Sequence, residues 1–123
     1  MRILVVDDNA ANLDLMLYLL RSFGHSPEGA TNGAAALERA GTGNFELVLA
    51  DILMPDMDGY ELARRFKADA TLASTPLVAV TALAMPAERK RADEAGFDGY
   101  ITKPIDPRTF VSQVKAFLRA GSA

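Results

Sequence analysis

The chain has 123 residues, half of them hydrophobic and 24% charged, and its 13 Lys+Arg against 16 Asp+Glu give a formal net charge of -3. That length and composition describe one compact domain with its own core, leave no room for a second, and carry no basic stripe suited to DNA or RNA. The absence of Cys, a lone His25 and the lack of any long apolar run exclude disulfides, thiolate or histidine-rich metal sites, cysteine nucleophiles and a membrane span. Met1-Arg2 leads straight into Ile3-Leu4-Val5-Val6 rather than into a signal peptide. A cytoplasmic protein is expected.

In chain order, short aliphatic runs alternate with longer helical stretches. The first strand is expected at Ile3 to Val6 and the first helix at Ala10 to Phe23. A weak strand follows near Ser26 to Ala30, then a helix over Gly33 to Ala40. The third strand reads at Leu47 to Ala50 with a helix near Gly59 to Asp69, and the fourth at Leu77 to Val80 with a helix near Ala87 to Ala95. Gly99 to Thr102 and Pro107 to Arg119 complete five βα units. Strands this continuously apolar are buried on both faces, which predicts a parallel sheet with right-handed helical crossovers on either side, an α/β fold. A closed eightfold barrel would need about twice the chain. Residues 1–120 are expected to form the domain, and 121–123 a short tail.

Two helices carry specific signals. In the last, Phe110, Val111, Val114, Phe117 and Leu118 make one buried stripe, and Asp106-Pro107 offers an N-cap followed by a first-turn proline. In the first, Leu13, Met16, Leu17 and Leu20 form an apolar face that Leu15, Tyr18 and Leu19 widen beyond what one core contact needs. Some of these are expected at the surface, either in a broad internal interface or as a docking patch.

In open α/β sheets, ligands bind beyond the carboxyl ends of the strands. The residues there are Asp7-Asp8, Asp51, Thr81 and Lys103. The turn Asp7-Asp8-Asn9-Ala10-Ala11-Asn12 has no glycine and two carboxylates, so it repels a bare phosphate. Asp8 or Asn9 could cap the following helix, but capping accounts for only one acidic residue. Converging carboxylates are relieved by raised pKa values or by a divalent cation, and an all-oxygen cluster suits Mg²⁺. Taken alone, Asp51 is better read as a loop cap; beside a metal it could instead be a nucleophile that accepts a phosphoryl group. The Thr81 hydroxyl and Lys103 ammonium could stabilise the phosphoryl oxygens, while their plainer alternatives are a strand-forming residue and a solvated charge. Pro104 permits a cis peptide that would aim Lys103 over the strand ends.

Asp7-Asp8, the run Asp51-Ile52-Leu53-Met54-Pro55-Asp56-Met57-Asp58-Gly59, Thr81-Ala82 and Lys103-Pro104, in this order and spacing, resemble the receiver domains of bacterial two-component response regulators. Val80 to Met85 and Tyr100 to Ile105 look most like single-domain receivers of the DivK type and receivers attached to hybrid kinases. The resemblance covers Arg2 to about Arg119 and implies a flavodoxin-like sheet of five parallel strands, order 2-1-3-4-5, flanked by five helices. It implies that Asp51 is the phosphoacceptor, attacking a phosphohistidine on a histidine kinase or phosphotransfer protein. Asp8 and Asp51 would bind Mg²⁺ directly with the Leu53 carbonyl, and Asp7 mainly through water. Thr81 and Lys103 would hold the phosphoryl oxygens, and Tyr100 matches the switch aromatic that follows Thr81. Kinase docking is expected at the edge around Asp51, with Asn12, Leu15 and Ile105. Leu53 and Leu83 are apolar where polar side chains can orient attacking water, so a long-lived phosphoryl group is expected. A two-state surface is expected around the helix after Pro86, the strand ending at Lys103 and the final helix, while Arg89, Lys90, Arg91, Asp93 and Glu94 on the first of these are each read as part of a solvated face.

The leading expectation is a stand-alone receiver, not a turnover enzyme, that signals through protein contacts or a phosphorelay, without nucleic acid or membrane partners. Alternatives are the receiver portion of a longer hybrid kinase or regulator, a flavodoxin-like cofactor carrier, and a small Mg-dependent phosphatase. The acidic first loop opposes an FMN phosphate. The phosphatase would want a general acid at Leu53, which has none. A monomer is expected, with the wide first helix leaving a dimer open.

Overall fold

The computed structural model describes residues 1–82 and 85–121. In chain order the elements are β1 (Arg2–Val6), α1 (Ala10–Ser22), β2 (Ser26–Ala30), α2 (Gly33–Gly43), β3 (Leu47–Ala50), α3 (Gly59–Ala68), β4 (Leu77–Thr81), α4 (Pro86–Ala95), β5 (Gly99–Thr102) and α5 (Phe110–Gly121). All strand pairs are parallel and the order is β2-β1-β3-β4-β5. The weakest strand in the sequence, β2, forms at an edge, where only one neighbour has to be satisfied.

Side-chain alternation along the strands divides the interior into two cores. Ile3, Val5, Leu47, Leu49, Val78, Val80 and Ile101 face α1 and α5, where they meet Met16, Leu20, Phe110 and Val114. Leu4, Val6, Val48, Ala50, Leu77 and Ala79 face α2, α3 and α4, against Ala36, Leu62, Phe66 and Ala92. The helices begin where side chains satisfy the first free N–H groups. Asn9, Asn32 and Asp58 accept from the N–H of Asn12, Ala35 and Glu61 respectively. Asn9 is therefore the cap of α1, and Asp8 is left for other work.

Three expectations change. The last helix starts at Phe110, not Pro107, because the Asp106 carboxylate accepts from the Arg108 N–H and its carbonyl from Thr109 and Phe110, closing a turn over 107–109 first. It continues through Gly121, one residue into the expected tail; Ser122 and Ala123 lie outside the described residues. On α1, Leu19 is buried and Leu17 only half-buried, packed against the rim of the core where it lies beside Leu13 over Gly29 of the edge strand. Tyr18, 68% exposed, is the residue of that wide face that reaches solvent. Among the described residues no helix is long and apolar enough to cross a membrane.

Candidate functional site

The ladder hydrogen bonds that finish each strand carry the chain one residue past it and fix the site backbone. Asp7 N–H donates to Ala30 O at 3.1 Å, Asp51 N–H to Val6 O at 2.9 Å, and Lys103 N–H to Thr81 O at 2.9 Å. Thr81 itself ends β4, opposite Thr102, and is buried. Asp7, Asp51, Thr81 and Lys103 are thus held by the sheet rather than by loops, which keeps their separation set by strand spacing.

Lys103 brings the side chains together. Its Nζ donates to Asp7 Oδ2 at 2.9 Å and Asp51 Oδ2 at 3.0 Å. The remaining oxygens turn inward to backbone: Asp7 Oδ1 accepts from Asn9 N–H at 2.9 Å and Asp51 Oδ1 from Leu53 N–H at 3.2 Å. The Lys103–Pro104 peptide is cis. Burial pushes the Asp51 carboxyl up from its ordinary value, and the adjacent Asp7 adds to this, outweighing the downward pull of Lys103. Burial also disfavours the Lys103 ammonium, but its two carboxylate partners more than offset it, so the amine is held above its ordinary value and stays charged.

Asp8 completes the cluster. Asp7, Asp8 and Asp51 each place a carboxylate oxygen within 4.8 Å of the others. Asp7 and Asp51 are buried; Asp8 is exposed and forms no ion pair among the described residues. Three carboxylates against one ammonium leave uncompensated negative charge, and every donor is a hard oxygen. That set fits Mg²⁺ and is wrong for a soft or imidazole-preferring metal.

The loop after Asp51 is drawn tight by Gly59. Its N–H donates to Ile52 O at 2.8 Å, and a Cβ there would lie 2.5 Å from Asp51 O and 2.6 Å from Ile52 Cα. Only a residue without a side chain lets the start of α3 abut the backbone of Asp51. Sequence reasoning noted Gly59 as part of the loop and missed this packing role; its place directly after the capping Asp58 was the available signal.

The other expected residues are placed less centrally. Leu53 is 58% exposed at the mouth of the site. Leu15 and Ile105 are half-buried and border the same core face, and Asn12 is half-buried in the first turn of α1. Tyr100 lies half-buried on β5, its hydroxyl directed to α4. Leu83 lies outside the described residues. On α4, Arg89 and Asp93 contact Tyr100, and Arg91 lies over the Tyr60 ring at 4.1 Å, so this helix is more than a solvated face.

An acidic cluster with a shared lysine, at the carboxyl edge of a 2-1-3-4-5 sheet, places the candidate site where open α/β proteins bind their ligands. The chain belongs to the response regulator receiver domain family, whose sequence profile matches residues 3–115. It is 38% identical over 121 residues to the transcriptional regulatory protein ResD of Bacillus subtilis, covering 98% of this chain and 49% of ResD. It is 34% identical to the polar-differentiation response regulator DivK of Brucella anthropi over 94% of both chains. The chain therefore spans about half of ResD and nearly all of DivK. Among solved structures, the receiver domain of the sensor histidine kinase PA1611 from Pseudomonas aeruginosa superposes with a TM-score of 0.86 at 27% identity, covering 99% of this chain and 98% of that one. That structure is described as having a magnesium ion coordinated in its active site cleft.

Proposed function

We propose that Asp51 accepts a phosphoryl group from a histidine kinase or histidine phosphotransfer protein, and that the chain signals by the resulting change in its protein contacts or by passing the group on. The observation that carries this reading is the single ammonium of Lys103 shared between two buried carboxylates, beside a third, exposed one. In the reaction an Asp51 oxygen attacks the phosphorus of a phosphohistidine. The P–N bond breaks, its electron pair stays on the imidazole, and an acyl phosphate remains on Asp51.

Asp8 and Asp51, with the Leu53 carbonyl, would hold Mg²⁺, and Asp7 would act on it mainly through water. The ion supplies charge neutralisation for the incoming phosphoryl oxygens. Lys103 leaves its carboxylate contacts to hold one oxygen, and Thr81 donates its hydroxyl to another. Catalysis of this kind is placement and electrostatics, so no general acid is required, in keeping with Leu53 two residues after the nucleophile. The same position argues against a phosphatase that turns over a small substrate. Leu15, Asn12 and Ile105 form the proposed docking edge for the donor, and Tyr100 the proposed switch residue. The half-length match to ResD supports a second setting for the same chemistry, a receiver unit within a longer regulator.

The test is labelling by acetyl phosphate and by phosphorylated kinases in the presence of Mg²⁺, read by intact mass. Wild type is expected to gain one phosphoryl group and Asp51→Ala none. Failure of every donor to label wild type overturns the proposal, and unchanged transfer after Leu15→Glu removes the docking edge from it.

A further inference from the structure

The hydroxyl of Tyr100 lies 2.7 Å from the carbonyl oxygen of Arg89 and 3.2 Å from Asp93 Oδ1. The guanidinium carbon of Arg89 stands 5.1 Å from the centre of the same ring. Arg89 and Asp93 are four residues apart on α4, so one face of that helix presents both. A phenol has one proton and both oxygens only accept, so the O–H is shared between a backbone and a side-chain acceptor. The Arg89 cation over the ring adds an attraction that depends on the ring staying where it is. Burial, and then the Asp93 hydrogen bond, push the phenol above its ordinary value, which keeps the donor proton in place.

The position of these contacts matters. Tyr100 is on β5, an edge strand paired only with β4, and three residues before Lys103. α4 follows the loop that leaves Thr81. The contacts to Tyr100 therefore tie the helix that comes after Thr81 to the strand that leads into Lys103. The ring cannot leave α4 without giving up the shared hydrogen bond and the cation over its face together.

We propose that Arg89 and Asp93 form a clasp that restrains Tyr100 against α4 in the unphosphorylated chain and sets how readily this surface changes when Asp51 is modified. This rests on the phosphoacceptor reading above. Arg89 and Asp93 are positioning residues: they touch neither the phosphoryl group nor the metal cluster. A clasp favouring the unmodified arrangement lowers the population competent for phosphorylation, and releasing it raises that population.

The experiment uses the chain labelled with 3-fluorotyrosine, the Tyr100 resonance being assigned from Tyr100→Phe. In the double variant Arg89→Ala, Asp93→Ala, the resonance is expected to move, without any phosphodonor, toward the position wild type reaches with Mg²⁺ and beryllofluoride. The hydrogen bond to the Arg89 carbonyl is made to backbone and persists in this variant, so labelling by acetyl phosphate is expected to speed up by about twofold to fivefold, the scale of the lost ring cation and side-chain acceptor. Asp93→Asn keeps an acceptor oxygen and is expected to stay near wild type; Glu94→Ala, a neighbouring charge loss without the contact, is expected to leave both readouts unchanged. A Tyr100 resonance that does not move in the double variant, or moves equally in Glu94→Ala, overturns the clasp. A wild-type chain that takes neither acetyl phosphate nor beryllofluoride overturns the phosphoacceptor reading instead; the resonance of the variant, moved or unmoved, then still decides whether the clasp exists.

Discussion

Lys103 Nζ sits 3.0 Å from Asp51 Oδ2 and so joins the ends of β5 and β3 across the intervening β4. Because the same nitrogen reaches Asp7 at 2.9 Å, its loss leaves two buried carboxylates facing each other. Lys103→Ala is expected to destabilise the fold by about 2 kcal/mol, below the range for fully buried pairs because the lysine is partly exposed. Mg²⁺ is expected to restore much of that stability. Urea titrations with and without the ion check this, and labelling by acetyl phosphate is expected to slow by about a hundredfold.

Asp8 is the residue at which the proposed metal binding can be tested apart from folding. It is exposed and unpaired among the described residues, so Asp8→Asn is expected to shift stability by less than about 0.5 kcal/mol. Mg²⁺ affinity, measured by calorimetry, is expected to fall by about tenfold or more, since ligand charge sets the binding of hard cations. Chelation with EDTA is expected to stop labelling of wild type.

Leu53 stands 58% exposed at the mouth of the site with nothing to orient a water molecule. Replacing it by Asn, together with Leu83→Glu, is expected to shorten the lifetime of the Asp51 phosphoryl group by about tenfold. A longer lifetime would contradict the assignment of Leu53 as the residue that slows hydrolysis.

Gly59→Ala is expected to damage both fold and site. The added methyl group meets the backbone of Asp51 and Ile52, which cannot yield as a side-chain tip would. A loss of roughly 2 kcal/mol is expected, in line with overpacking at a tight contact, and labelling is expected to fall as well. Urea midpoints and labelling rates check the pair.

His25 gives the fold a dependence on pH at the end opposite the acidic cluster. Both ring nitrogens are buried without a hydrogen-bond partner among the described residues. Burial, then the Met1 amino group and Lys115, hold the imidazole below its ordinary value of 6.5. Around and below that value the unfolded chain binds the proton and the folded chain resists it. Stability is therefore full above pH 6.5 and is lost as the pH falls toward the lower folded value. Urea midpoints compared at pH 7.5 and at about pH 5.5 are expected to fall less in His25→Gln than in wild type.

The alternation of elements and the polar residues closing each strand were legible in the sequence because both follow from local periodicity and from the topology of parallel sheets. The start of α5 was not. Asp106 and Pro107 carry the signals of a helix start, yet the Asp106 carboxylate is used within a turn, a choice between two local hydrogen-bonding patterns. The seat of Leu13 and Leu17 over Gly29 is set by the neighbouring strand, a contact no window along α1 contains. The partners of Tyr100 were hidden for the same reason: Arg89 and Asp93 belong to a helix whose sequence is that of a solvated surface, and only its placement beside β5 shows what two of its charges meet.

The strand order gives the molecule an inside and an outlet. Asp7 and Asp51 extend β1 and β3, each flanked by strands on both sides, and are therefore embedded in the least yielding part of the sheet. Thr81 ends β4, which is likewise flanked on both sides, whereas Lys103 follows β5, which has a neighbour on one side only. A change in charge at Asp51 would therefore be felt by strands flanked on both sides toward β1 and β4 and would reach the open margin of the sheet only at β5, so the proposed phosphoacceptor lies in the sheet's interior and its lysine partner at its edge.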